Sequence, residues 1–348
     1  MKIAFLHEND NQFNLLLLRE FRERLGSHEV LPWITGEEAP SNDLNILLAN
    51  SSVGREQLAN QPHVALIQTV TTGYETVDIQ SATELGIWVS YAPSDETGNA
   101  TSVAEFAILL LLGAARHIGQ VIESVHDGPA YPLHIHSALN GKTVCIVGLG
   151  SIGKQIVDRL RPFGVLILAT DEHPEVAPAD VTTFRPDQLD VAVADADYVV
   201  ICVRASKENE GLISASILRT MKRGAILVNV ARGMLIDEDA LLAALENGQV
   251  SAAGLDVVRS EPLTLTNPLL TYPQVLLTPH IAAFTDLMLS GTVDFICRVV
   301  DKFENGEKPN SMLNAPLDPR RLLRVSGSND QYRKKSSPAL TLQTEKVT

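Results

Sequence analysis

An apolar run over residues 144–147 feeds without a break into Gly148-Leu149-Gly150-Ser151-Ile152-Gly153, and a helical pattern follows over 154–160. An acid, Asp171, stands 18 residues past the last glycine, after a second apolar run over 165–169. Each part has a physical job in holding a dinucleotide. Gly148 permits a tight turn, and Gly150 lets backbone approach a pyrophosphate. Gly153 lets the helix pack closely on the strand. The helix N-terminus offers unpaired N–H groups to an anion, and Asp171 can accept from adenosine ribose hydroxyls. A bare G-x-G-x-x-G also occurs in ordinary glycine-rich turns. Strand, helix and acid in register turn the motif into a Rossmann expectation.

The runs 144–147, 165–169, 198–203, 225–229, 252–255 and 275–278 alternate with helical patterns. They predict an α/β fold whose main unit is a six-stranded, doubly wound parallel sheet. A smaller β/α unit precedes it, with strands expected at 3–6, 44–49, 63–69 and 87–91 and helices at 11–25, 56–59 and 77–85. One long helix is expected over 99–118 and another over 288–303, which returns to the first unit. The organisation read from this is a smaller flavodoxin-like domain of residues 1–98 and 285–316, a Rossmann domain of 99–284, and a tail of 317–348. Aperiodic and rich in Ser, Arg and Lys, the tail is expected to be disordered; the alternative is docking on a partner subunit.

At 348 residues the chain has room for about two domains. A formal charge of −14 argues against a nucleic-acid partner. The charge is uneven: from Asp318 onward, seven Lys/Arg face three Asp/Glu. Cys145, Cys202 and Cys297 are widely spaced and odd in number, and the first two sit in apolar runs. They read as buried hydrophobes in a reducing, cytoplasmic setting. No signal peptide is visible, and the apolar run 106–115 is too short for a bilayer. It reads as a buried helix or a subunit interface. No membrane association is expected.

Ligands of open α/β sheets sit at the carboxyl ends of strands. Arg232, Glu261 and His280 each follow an expected strand. Singly each has a bland reading: a helix-facing ion pair, a solvated loop acid, a satisfied loop histidine. His134-x-His136 has the spacing of a metal pair but no neighbouring acid or thiol, so no metal is expected.

Together these residues resemble a known set. Thr72-Gly73-Tyr74-Glu75-Thr76-Val77-Asp78, Val103-Ala104-Glu105, Asn229-Val230-Ala231-Arg232-Gly233, Asp237-Glu238, Gly254-Leu255-Asp256-Val257, Glu261-Pro262 and Thr278-Pro279-His280-Ile281-Ala282 resemble signatures of the D-isomer-specific 2-hydroxyacid dehydrogenases. The resemblance keeps its order over roughly residues 1–315. It implies NAD-dependent interconversion of a small 2-keto acid and a D-2-hydroxy acid, with NADP as a possible substitute. His280 would be the general acid and base, Glu261 its partner, and Arg232 the group that polarises the keto oxygen and grips the carboxylate. Thr72 and Gly73 would bind the substrate carboxylate, with Arg232 and His280. Cofactor contacts are implied for Gly148, Gly150, Ser151, Ile152, Gly153, Asp171, Cys202, Val203, Arg204, Val230, Ala231, Arg232, Asp256 and His280. Asp256 would meet the nicotinamide carboxamide. The apolar run 106–115 makes the helix region 101–118 the expected contact of a homodimer.

Departures accompany the matches. Arg204 stands where the family usually has a proline; stacking on adenine, contact with a 2′-phosphate and exposure to solvent are all open readings. Asn209 replaces a common threonine, and the loop 120–140 carries His126, His134 and His136 in place of a frequent tryptophan. Glu261 argues against a formate dehydrogenase, Thr72 against a phosphite dehydrogenase, and the lack of a clear phosphate-binding arginine in 47–52 against 3-phosphoglycerate. Glyoxylate, hydroxypyruvate, pyruvate or a bulkier relative remain. The alternative function is a dinucleotide-sensing, corepressor-like binding protein on the same fold.

Overall fold

The structure, a computed structural model, describes residues 1–126 and 135–320. His134 and residues 321–348, most of the expected tail, lie outside the described residues. Two parallel sheets organise the chain. The first has the order β2-β1-β3-β4-β5, formed by β1 (Lys2–His7), β2 (Glu29–Ile34), β3 (Ile46–Asn50), β4 (Leu66–Thr69) and β5 (Trp88–Ser90). The strand β2 was not expected. It carries Glu29 and Pro32, which blunt an apolar signal, and it lies at the sheet edge, where a residue lacking an N–H is tolerated.

The second sheet holds seven strands rather than the expected six, in the order β12-β11-β10-β9-β6-β7-β8. These are β6 (Thr143–Val147), β7 (Leu166–Thr170), β8 (Thr182–Phe184), β9 (Tyr198–Ile201), β10 (Ala225–Asn229), β11 (Val250–Leu255) and β12 (Val275–Leu277). The added β8 is a three-residue edge strand whose side chains are exposed or half-buried, so it carries no apolar run. Its Phe184 carbonyl accepts from the Asp171 N–H at 3.1 Å, which extends the sheet at the β7 exit.

The expected helix 99–118 is broken. Asn99–Ala115 ends near His117, whose φ is 47°, and Ile118–His126 starts a new direction. The two axes meet at 64°. A non-glycine residue with positive φ cannot continue a right-handed helix. The first helix lies on the second sheet, burying Ala104, Ala107, Leu110 and Leu111 completely or nearly so. Each such leucine contributes about 1.5–3 kcal/mol of apolar burial. A Cβ on Gly254 would lie 3.0 Å from the Leu110 carbonyl oxygen, so β11 and this helix approach at glycine distance. Among the described residues no single helix is long and apolar enough to cross a membrane.

The last helix, Asp286–Glu304, is capped by the Thr285 hydroxyl, which accepts from the Met288 N–H. Its Val293, Ile296, Val299 and Val300 pack with Leu17 and Phe21 of the helix Gln12–Arg24, against the first sheet. The chain stays engaged past residue 317: Arg320 donates to the carbonyls of Gln61 and Val64 at 2.7 and 3.1 Å.

Candidate active site

The glycine loop leaves β6 exactly where backbone crowding demands it. Gly148 has φ 103°, and a Cβ there would sit 2.7 Å from the Val203 Cα. A Cβ on Gly153 would meet the Gly148 carbonyl oxygen at 2.0 Å. Gly150 caps the helix Ser151–Leu160 with extended backbone, and a Cβ there would meet nothing within 4 Å. The first helical turn therefore opens onto a cradle with free N–H donors, which fits a pyrophosphate. Ser151 and Ile152 in that turn are half-buried. Cys202 lines the underside: its thiol donates to the Gly148 carbonyl at 3.1 Å, and burial pushes its pKa up, so it serves packing rather than nucleophilic chemistry.

Asp171 follows β7. Its Oδ2 accepts from the Leu149 N–H at 2.7 Å and its Oδ1 from the His173 N–H at 2.9 Å. An ionised carboxylate has about four lone-pair sites. It therefore fixes the glycine loop and still has acceptor capacity for ribose hydroxyls. Arg204 is exposed, as one of its three readings has it, but its guanidinium is not free of contacts. Its guanidinium carbon lies 4.0 Å over the centre of the Tyr74 ring, which belongs to the first-sheet half of the chain.

The exits of β10, β11 and β12 converge. Buried Asn229 knits the turn after β10: its Nδ2 donates to the Arg232 carbonyl at 2.9 Å, and its Oδ1 accepts from the Ala231 N–H at 3.0 Å. Val230 and Ala231 are buried by the same turn. Arg232 Nη1 donates to the Ala231 carbonyl at 2.8 Å, while Nη2 reaches across to Glu75 Oε2 at 3.9 Å. Gly73 lies between them, since a Cβ there would meet both groups at 2.6 Å. The hydroxyl of the adjoining Thr72 is buried and has no hydrogen-bond partner among the described residues. Thr72, Gly73 and Arg232 are thus brought together at one place.

His280 completes the wall. Its Nδ1 stands 2.7 Å from Glu261 Oε2, and Glu261 Oε1 accepts from the Val258 N–H at 3.2 Å. The His280 backbone is left-handed, with φ 56°. That conformation costs an L-residue about 1–2 kcal/mol and is held by the surrounding bonds. The Asp256 carboxylate accepts from Thr278 Oγ1 at 2.7 Å and from the N–H groups of Ile281 and Ala282, both at 2.9 Å. The Asp256 carbonyl accepts from the His280 N–H at 2.8 Å. Asp256, expected to meet a nicotinamide carboxamide, takes three donors on its buried carboxylate and so staples the His280 turn to β11. Asn229 and Thr278, which share this work, stand in the family signatures but carry no role in the sequence reading, because a strand-end asparagine or threonine does not announce its hydrogen-bond partners.

Burial raises the Glu261 carboxyl, but its hydrogen bond with His280 and the positive charge of His280 and Arg232 outweigh this and hold it below the ordinary 4.5. A depressed carboxylate contributes stability that is complete above its unfolded value and is lost as pH falls through the lowered folded value. The pair is partly exposed, so the contribution is small. Wild type is expected to melt above Glu261→Gln at neutral pH, with the gap closing as pH falls below 4.5. Equal gaps at pH 7 and pH 3 would show that Glu261 acts by shape alone.

Residues 108–282 match the family described as D-isomer specific 2-hydroxyacid dehydrogenase, NAD binding domain. The chain is 32% identical over 297 residues to a glyoxylate reductase of Thermococcus onnurineus, covering 82% of this chain and 87% of that protein. A D-3-phosphoglycerate dehydrogenase of Methanocaldococcus jannaschii is 32% identical over 307 residues, covering 86% of this chain but 58% of its own length. Among solved structures, an NADPH-dependent glyoxylate/hydroxypyruvate reductase from Sinorhizobium meliloti superposes with a TM-score of 0.80 at 26% identity, over 92% of this chain and all of that one. With the family match and these relatives, the glycine cradle belongs to a nicotinamide dinucleotide-dependent oxidoreductase. The chain belongs to the D-isomer specific 2-hydroxyacid dehydrogenase family.

Proposed function

We propose that the protein reduces a small, unphosphorylated 2-oxo acid to the D-2-hydroxy acid, and runs the reverse oxidation, with His280 as acid and base. The observation that carries this reading is the 2.7 Å His280–Glu261 pair on the same wall as Arg232, opposite Gly73. NAD(P)H, when bound, supplies a hydride. The N–H groups of Thr72 and Gly73 and the Arg232 guanidinium hold the substrate carboxylate. Arg232 also draws electron density onto the keto oxygen. His280, with Nδ1 occupied by Glu261, gives its Nε2 proton to that oxygen as C2 is reduced, and regains a proton from water. Glu261 fixes the ring's orientation through Nδ1, which leaves Nε2 to face the substrate. Asp171 favours NADH, because a ribose 2′-phosphate would face its carboxylate.

The glyoxylate reductase similarity supports a small substrate: glyoxylate, hydroxypyruvate or pyruvate. We place the chain in the cytoplasm as a homodimer. The three cysteines are free, and burial pushes the Cys145 thiol up to about 12, as suits a packing residue. On the helices Asn99–Ala115 and Ile118–His126, the exposed Leu109, Ile122 and Val125 offer an apolar contact for a second copy. The test is steady-state oxidation of NADH and NADPH with these three acids. NADH turnover is expected. A tenfold preference for NADPH would overturn the role of Asp171. No turnover at all would favour the dinucleotide-sensing alternative.

A further inference from the structure

The registers of β9 and β10 place Ile201 beside Asn229. Arg204 and Arg232 each stand three residues past those partners, so adjoining strand exits send out a guanidinium from equivalent positions. Both reach the same short segment of the opposite half. Arg232 meets Gly73 and Glu75, and Arg204 lies face-on over Tyr74 at 4.0 Å. Tyr74 is backed by Tyr91, edge-on at 5.6 Å, just past β5. Its ring is therefore held between the first sheet and Arg204. The base of the segment is fixed to the first-sheet half, where the Val53 N–H donates to the Thr76 carbonyl at 3.0 Å and the Asp78 N–H to the Val53 carbonyl at 2.9 Å. Its tip, residues 73–75, meets the cofactor half through the two arginines.

Arg204 has no hydrogen-bond or ion-pair partner for its guanidinium among the described residues, so stacking on Tyr74 is its one specific side-chain contact. It also directly follows Val203, whose backbone abuts the first glycine of the cradle. We propose that Arg204 is a positioning residue: by stacking on Tyr74 it holds the segment Thr72–Gly73 at the distance from Arg232 that a substrate carboxylate needs. This rests on the proposed reaction and adds a residue to it. Arg204 touches neither substrate nor hydride. It sets where the carboxylate-binding N–H groups stand, and therefore acts on substrate affinity more than on the chemical step.

The test uses Arg204→Ala, Arg204→Lys, Tyr74→Phe and Tyr74→Leu in the full chain. Losing a cation–π contact at a partly exposed site is expected to raise KM for the 2-oxo acid about three- to tenfold in Arg204→Ala and Tyr74→Leu, with kcat little changed. Tyr74→Phe and Arg204→Lys keep the ring and the charge and should restore most of the affinity. The double variant Arg204→Ala/Tyr74→Leu should be no worse than either single one. NADH binding, read by fluorescence, should be unchanged. A loss of NADH or NADPH affinity with an unaltered KM for the acid would overturn the proposal and make Arg204 a cofactor residue. A silent Tyr74→Leu would overturn it as well. If wild type turned over no 2-oxo acid, the reaction reading would fall. The Arg204–Tyr74 contact would then be judged by coupling of the two residues in thermal unfolding: coupling supports it, and additivity overturns it.

Discussion

His280→Asn is expected to lower kcat for 2-oxo acid reduction by about a hundred- to ten-thousandfold, the range for removing a positioned general acid. Asparagine is the informative replacement because His280 sits at φ 56°. Asn accepts left-handed backbone more readily than other L-residues, so the turn after β12 keeps its shape while the proton donor goes. His280→Ala would mix lost chemistry with a backbone penalty. The measurement is kcat at saturating NADH and acid, beside NADH binding. A variant within tenfold of wild type would remove His280 from the proton transfer.

Arg232→Lys should reduce kcat/KM by about a hundred- to a thousandfold, in line with loss of a donor at a developing oxyanion. The charge survives, but lysine has no planar fork to hold a carboxylate and a keto oxygen together. It also cannot reproduce the bond from Arg232 Nη1 to the Ala231 carbonyl at 2.8 Å together with the reach to Glu75. The decisive comparison is Arg232→Lys with Arg232→Ala. Similar losses in both would show that geometry outweighs charge. Near-full activity in the lysine variant would reduce Arg232 to a source of positive potential.

What could be read beforehand followed from how strongly local chemistry constrains each element. The cradle was legible because its glycines answer to backbone collisions: a Cβ on Gly153 would lie 2.0 Å from the Gly148 oxygen, and only one residue type avoids that. The wall of Arg232, Glu261 and His280 was legible as a set of strand exits matched to a family pattern. β2 and β8 were not, since edge strands need no continuous apolar face. The break near His117 leaves no mark in the sequence, because the apolar spacing runs on through it. Contacts between halves were hidden for a different reason. Tyr74 and Arg204 are 130 residues apart, and nothing in either neighbourhood announces the other.

The staple made by Asp256 has a consequence for how the cleft works. The histidine turn hangs from a buried acid at the end of β11, one strand in from the edge of the second sheet. The seat of the imidazole is therefore built by the second sheet itself, with no bond from the first-sheet half among those to Asp256. The opposite wall, residues 72–74, meets this half through the side chains of Arg232 and Arg204, so the two walls of the cleft are supported by different sheets.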